Sequence, residues 1–470
     1  MKRIISFLFL SVILAGSVLA QDQINNKSVV GSWLGKLDVN SVTLRIIFNL
    51  SLIEKDSLTV TLDSPDQGAK NIKIGPVTLD GKDISIKAPL LLAEYTGIVK
   101  NDTLMEGTFK QAGRTMPLNL IKLKKAFALN RPQEPKPPFP YKSEDVEFSN
   151  EKAGIKLAGT LTMPEGDGPF PAVILITGSG SQNRNEELMG HKPFWVIADH
   201  LSRNGVAVLR YDDRGVGQSQ GSPLNATSDD FATDAGAAFL YLRTRKEINP
   251  DSIGLAGHSE GGLIAPIVTV SDPRIAFIIA LAGPGVTGEQ IINKQNYDIN
   301  MISGAKEKEV REGISINRKL FAILKKEPDN NKAADRMTAA YRKILSKKKT
   351  SPEDIDKAIK QFNASLNPVS YNWFRFFLST DPEVFWKKVK CPVLALNGEK
   401  DLQVAANINL PAIEKALKSG GNKAVTTIKL PELNHLFQHC KTGLPAEYGD
   451  IEETFSPEVL KIISDWINGL

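Results

Sequence analysis

From residue 28 to residue 124 the chain reads as short runs in which apolar and polar residues alternate: SVTLRIIFNLSL, DSLTVTLDSPDQG, KNIKIGPVTLDG, KDISIKAP, TLMEGTFKQAGR and TMPLNLIKL. A period of two turns one face of each run toward a core and the other toward water, and the Gly, Pro and Asp between runs make turns. The segment predicts a small antiparallel barrel or sandwich, with Gly31-Ser32-Trp33 closing one end of its core. Residues 131–140, RPQEPKPPFP, hold five prolines, which exclude a regular helix and predict a stiff, extended connector at a domain boundary.

Beyond the connector the pattern changes to strands alternating with helices, the mark of a mostly parallel sheet. Ala172 to Ile176 (AVILI) has no polar position, as a strand covered on both faces requires. A helix over Pro193 to Arg203, a strand over Val206 to Tyr211, a helix over Asp229 to Arg245 and strands over Ser252 to Ala256 and Ile275 to Ala282 follow. From about Gly285 to Glu383 the chain is rich in Lys and Glu and helical in period, which predicts a helical insertion; Val393 to Leu396 then resumes the sheet, Val425 to Leu430 adds its last strand and Pro457 to Ile467 closes with a helix. The expected organisation is a β domain at 21–125, a linker at 126–140, an α/β domain at 141–284 and 386–470, and a cap at 285–385.

The first twenty residues are of another kind. Lys2 and Arg3 precede an apolar run from Ile4 to Ala15, and Val18-Leu19-Ala20 supplies small residues for cleavage, the pattern of a secretory signal peptide. Export to the periplasm or beyond is the expectation. No later stretch offers roughly 18 unbroken apolar residues, so no membrane span is predicted. Without Lys2 and Arg3 the formal charge of +5 becomes +3, near neutral for about 450 residues, which argues against a nucleic-acid partner. Cys391 and Cys440 allow one disulfide at most; two separate buried thiols are the expectation.

Two G-x-S-x-G patterns compete as the seat of a nucleophile. Gly257-His258-Ser259-Glu260-Gly261 follows the strand SIGLA directly and runs into EGGLIAPIV, which can begin a helix; this is the context in which a tight strand-to-helix turn lifts a serine hydroxyl above a sheet. Gly217-Gln218-Ser219-Gln220-Gly221 lies in RGVGQSQGSPLN, where Gly, Ser and Pro223 keep a helix from starting. Ser259 is therefore the candidate and Ser219 the decoy. A serine hydroxyl needs a positioned base, and the base needs an orienting carboxylate. Of His191, His200, His258, His435 and His439, only the last two follow the nucleophile as the order Ser, acid, His requires. His435 stands right after the last strand and is preferred. Asp401, delayed past the Asn397-Gly398 turn, is the candidate acid, with Glu399 its neighbouring rival. The N–H groups of Glu260 and of Ser179, in the loop TGSGS after AVILI, are the candidate oxyanion donors. In YNWFRFFL, Trp373 and Phe377 are candidates to line an acyl pocket, and packing inside the cap accounts for them equally well.

These motifs together resemble the α/β-hydrolase superfamily, in particular secreted bacterial esterases related to the serine aminopeptidase S33 group. The resemblance is carried by TGSGSQNRN, RYDDRGVGQS, GHSEGG, NGEKDLQV and PELNHLF, and a leading β domain joined through RPQEPKPPFPY fits it too. Two positions depart from the pattern: Thr177-Gly178 stands where relatives carry His-Gly, and Asn183 and Asn185 where they carry acids. The resemblance implies that Asp213 and Arg214 brace a loop rather than take part in chemistry. The expected chemistry is two-step acyl transfer by a carboxylesterase on short-chain, small-molecule esters, which needs neither metal nor organic cofactor. A serine peptidase using Glu260 or a cap carboxylate for a substrate ammonium, and a binding protein on an inactive scaffold, are the competing readings.

Overall fold

A computed structural model describes residues 24–39, 42–111, 113–348 and 350–470, and the expected signal peptide lies outside them. The described chain divides into two compact units: one is formed by residues 24–37, 45–64 and 69–127, the other by 38–44, 65–68 and 128–470.

In the first unit the strands are β1 (Gly31–Val39), β2 (Val42–Ile53), β3 (Ser57–Ser64), β4 (Ala69–Lys73) and β5 (Val77–Asp80), followed by β6 (Asp83–Ala88), β7 (Ala93–Val99), β8 (Leu104–Gln111), β9 (Arg114–Pro117) and β10 (Leu120–Lys122). They form one sheet in the order β4-β3-β2-β1-β10-β8-β7-β6-β5, with β9 beside β8. The small antiparallel β domain, expected as a barrel or a sandwich, is built from a single ten-stranded sheet; alternation tells which face is covered but not how the strands connect. Trp33 is fully buried and its Nε1 donates to the Val29 carbonyl at 2.7 Å, a packing role.

The second unit is built on an eight-stranded sheet: β11 (Tyr141–Asn150), β12 (Ile155–Pro164), β13 (Phe170–Ile176), β14 (Ala207–Tyr211), β15 (Ile248–His258), β16 (Ile278–Leu281), β17 (Val393–Gly398) and β18 (Val425–Leu430). The order is β11-β12-β14-β13-β15-β16-β17-β18, antiparallel at its first two pairs and parallel thereafter. The β11–β12 hairpin was not expected. On β11 only Tyr141, Phe148 and Asn150 are buried, so this edge strand carries no apolar run to announce it.

Helices α1 (Pro193–Arg203), α2 (Ser228–Leu242) and α3 (Gly261–Ser271) connect strands β13 to β16 in turn, α10 (Ala406–Ser419) connects β17 to β18, and α11 (Pro457–Asn468) follows β18. Two apolar layers cover the sheet. One gathers Ala172, Ile174, Ile176, Leu255 and Ala280 with residues of α2 and α3; the other gathers Val173, Leu175, Ala256, Ile279 and Leu394 with residues of α1 and α11. Successive residues of one strand alternate between layers, which is why these strands read as unbroken apolar runs. Between β16 and β17 lie α4 (Gly288–Ile302), α5 (Glu307–Lys326), α6 (Asn330–Ser346), α7 (Pro352–Ser365), α8 (Tyr371–Ser379) and the short α9 (Glu383–Trp386). Leu320, Leu324, Ala333, Met337, Tyr371 and Leu378 give the insertion a core of its own.

The proline-rich segment is strapped down rather than free-standing. Buried Arg131 donates to the carbonyls of Met189 and Gly449, each at 2.9 Å, and of Ile451 at 2.9 Å, while Gln133 accepts from Thr454 N–H at 2.6 Å. Cys391 and Cys440 are both free thiols, half-buried rather than fully enclosed. Among the described residues no helix is long and apolar enough to cross a membrane.

Candidate functional site

Parallel strands deliver the chain ends that follow them to one edge of the sheet. In register, Ile176 of β13 lies beside Gly257 of β15, His258 beside Leu281 of β16, Leu281 beside Leu396 of β17, and Gly398 beside Leu430 of β18. The loops carrying Ser179, Ser259, Asp401 and His435 therefore leave the sheet side by side.

Ser259 occupies the turn between β15 and α3 with φ +51°, a left-handed conformation that a non-glycine residue holds only when its surroundings impose it. They do so here. The Ser259 N–H donates to Leu281 O at 2.8 Å, and its carbonyl accepts from Gly262 N–H at 2.9 Å. A Cβ on Gly261 would fall 2.2 Å from Ile176 O, so the turn closes against β13 only with glycine there. Among the described residues Ser259 Oγ makes no hydrogen bond.

Asp401 is almost fully buried. Its Oδ1 accepts the N–H groups of Gln403 at 2.8 Å and Val404 at 2.9 Å, which leaves Oδ2 to meet His435 Nδ1 at 2.8 Å. Close approach of the two loops depends on Gly398, whose Cβ would lie 2.2 Å from Leu433 O. His435 sits in a loop closed by buried Asn434, which accepts from Leu436 N–H at 2.9 Å and Gln438 N–H at 3.0 Å. The rival acid Glu399 pairs with Lys429 at the surface, and His439, half-exposed, bonds Glu453. Buried Ser219 donates to Asp212 O at 2.6 Å and accepts from Ala158 N–H at 2.9 Å, so the decoy is a structural brace.

Glu260, at the start of α3, lends its backbone to the turn and its carboxyl to the cap. Oε1 accepts from Ser228 Oγ at 2.6 Å and from Trp373 Nε1 at 2.8 Å. Burial pushes this carboxyl above the usual glutamate value, and the two donors oppose the shift. Ser179 lines a cleft of about 470 Å³ together with Leu224, Phe231, Val369 and Trp373. Among the described residues no charged side chain lines it. Trp373 thus forms a wall of the cleft. Phe377 does not: it is buried in the main core, its ring stacked on Trp373 at 5.4 Å between centroids, because α8 turns that position inward.

Asp213 and Arg214 both brace loops, with separate partners. Asp213 accepts from Thr177 Oγ1 at 2.7 Å and Gln182 N–H at 2.9 Å, and burial pushes its carboxyl up to about 7. Arg214 pairs with Asp234 at 2.7 Å. Two residues that sequence reasoning passed over complete the neighbourhood. Glu186 Oε1 meets His258 Nδ1 at 2.9 Å and accepts from Gly178 N–H at 2.6 Å, and His258 Nε2 faces the His435 carbonyl at 3.0 Å. Burial alone drives the His258 imidazolium down, and the Glu186 carboxylate reverses this and holds its pKa above the ordinary histidine value. Among the described residues no cluster of His, Cys, Asp and Glu could hold a metal ion.

A family model described as the alpha/beta hydrolase fold matches residues 171–441. Esterase EstD of Thermotoga maritima is 27% identical over 310 residues, 65% of either chain. Thiohydrolase aneE of Aspergillus aculeatus is 32% identical over 138 residues, 29% of this chain and 40% of that one. The match spans less than two thirds of the length of either relative. Among solved structures, the esterase Pf2001 of Pyrococcus furiosus matches at a TM-score of 0.40 with 16% identity, over 70% of this chain and 93% of that one.

Proposed function

Since this chain belongs to the alpha/beta hydrolase fold family, we propose that it is a serine carboxylesterase that cleaves short-chain, small-molecule esters through an acyl-enzyme. The observation that carries the reading is the buried Asp401–His435 hydrogen bond at 2.8 Å, at the same sheet edge as the Ser259 turn. Ser259 Oγ attacks the ester carbonyl while His435 Nε2 takes its proton, and Asp401 holds the ring in the tautomer that leaves Nε2 open. The Ser259–His435 bond forms as substrate settles, since such bonds are commonly long or misaligned in the free enzyme. The N–H groups of Glu260 and Ser179 receive the charge on the tetrahedral oxygen. His435 then protonates the departing alcohol, and water, deprotonated by the same ring, releases the acid and restores Ser259.

The uncharged cleft beside Ser179 supports a neutral substrate. The ammonium site that a peptidase of the S33 type would need finds no support at Glu260, whose Oε1 already takes two donors. Hydrolysis of p-nitrophenyl butyrate set against an aminoacyl p-nitroanilide tests the reading: turnover of the ester is expected, and turnover of the anilide alone would overturn it. Export through cleavage after Ala20 is part of the same proposal, checked by the mass of the protein recovered from the periplasm or medium.

A further inference from the structure

Behind the nucleophile lies a buried pair that the mechanism above does not use. Glu186 and His258 are both more than nine-tenths buried, and the ring of His258 packs against that of His435 at 4.8 Å between centroids. The partners of the ring fix its protonation. Nδ1 faces a carboxylate oxygen and Nε2 faces a backbone carbonyl, and both are acceptors, so both nitrogens must donate. His258 is therefore a doubly donating imidazolium, and a continuous run of bonds passes from Gly178 N–H through Glu186 and His258 to the carbonyl of His435. It joins the loop after β13, the residue before Ser259 and the loop after β18. The packing is close: a Cβ on Gly178 would lie 3.1 Å from Glu186 Oε1 and 3.2 Å from the Ser259 Cβ.

A buried ion pair of this kind contributes little net stability, because desolvation of both charges offsets their attraction. Its place in the fold points instead to geometry. Resting on the esterase reading, we propose that Glu186 and His258 are positioning residues: the charged His258 ring sets the standing of the His435 loop over Ser259, and Glu186 fixes residue 178, one peptide before the Ser179 N–H. Neither residue touches substrate. Their effect falls on the chemical step and not on binding.

Three groups besides its own members face this pair: Asp401 from the loop after β17 and His435 from the loop after β18 act on His258, and Asp213, after β14, acts on Glu186. Loss of a proton from His258 leaves a lone pair on Nε2 opposite the His435 oxygen, and that contact turns repulsive. The rate of the chemical step should accordingly fall on an alkaline limb that belongs to His258.

Glu186→Gln and Glu186→Ala, assayed on p-nitrophenyl butyrate with active sites counted by the end point of fluorophosphonate labelling, test the proposal. Glutamine keeps an acceptor for Gly178 but removes the charge that sustains the imidazolium. For it, kcat per labelled site should fall about tenfold with KM held within about twofold, and the alkaline limb should move to lower pH. Alanine also releases the Gly178 N–H, and a loss of about 100-fold is expected. An unchanged kcat per labelled site and an unmoved limb in Glu186→Gln, with only a lower melting temperature, would overturn the proposal. So would a wild-type profile flat above neutral pH, a measurement that depends on no variant. If Ser259→Ala retained full turnover, the esterase reading itself would fall, and the two failures are told apart by that control.

Discussion

Asp401→Asn exchanges one oxygen for an amide nitrogen at almost constant shape, and the partners of Asp401 dictate where each atom goes. The Gln403 and Val404 N–H groups, at 2.8 and 2.9 Å from Oδ1, both require an acceptor, so the asparagine oxygen takes that place. Its NH₂ then occupies the position of Oδ2, 2.8 Å from His435 Nδ1. Two donors cannot face each other at that distance. His435 responds by moving its proton to Nε2, the nitrogen that must receive the proton of Ser259, and the base is lost while the site stays intact. The same exchange in a serine-protease triad costs about 10⁴ in kcat, which at about 1.36 kcal/mol per decade is about 5.4 kcal/mol of transition-state stabilisation.

Stability should respond very differently. Both backbone donors remain bonded, so unfolding free energy should change by less than about 1 kcal/mol. In Asp401→Ala the buried Val404 N–H loses its acceptor, and a cost of about 1–3 kcal/mol is expected. Initial rates on p-nitrophenyl butyrate, with urea unfolding of the same preparations, separate the two effects. A kcat for Asp401→Asn within about tenfold of wild type, on a protein of unchanged stability, would refute the assignment of Asp401 and His435 as acid and base.

Ser259→Ala should abolish both turnover and labelling by a fluorophosphonate, and residual labelling at another serine would move the nucleophile elsewhere. Gly261→Ala places a Cβ 2.2 Å from Ile176 O and 2.8 Å from Thr177 O, both rigid backbone, and should lower the unfolding free energy by about 3 kcal/mol or prevent folding, as urea titration will show. Trp373→Ala removes a cleft wall and one of the two donors to Glu260; kcat/KM should drop about tenfold for the longer acyl esters and least for acetate, and an equal loss at every chain length would remove Trp373 from substrate binding. Asp213, pushed up to about 7, and His258, raised above its ordinary value, both hold protons more tightly folded than unfolded. The folded state then loses the Asp213 contribution as pH climbs from about 4 to 7, and that of His258 as pH passes above about 6.5 through its folded pKa. Melting temperature should fall across that interval, less steeply above neutral pH in Glu186→Gln; a rise from pH 6 to 8 would contradict both assignments.

What could be read from the chain, and what could not, follows from where each interaction is encoded. The strands β14 and β17, most of β13 and the second half of β15 from Ile253 are buried on both faces, so their apolar runs stand out with no partner in view. Edge strand β11 has mostly exposed positions and is recognisable only through its pairing with β12. In the β domain, alternation identifies the covered face of each strand, but hydrogen-bond order is a property of strands far apart in sequence, and a barrel, a sandwich and a single sheet share one pattern. The candidate nucleophile, acid and base are selectable because each stands in the turn or loop that follows a strand, a local feature. Glu186 has no such mark. It lies 72 residues from His258, in an irregular loop, and nothing in NRNEELM distinguishes it from a solvated acid. Its partner is set by the register that puts Ile176 of β13 beside Gly257 of β15, so that the loop after one strand must pass over the turn after the other. Residue order supplies the reacting groups, then, but the sheet supplies their neighbours, and it is through neighbours such as Glu186 that the distance between a base and a hydroxyl is held.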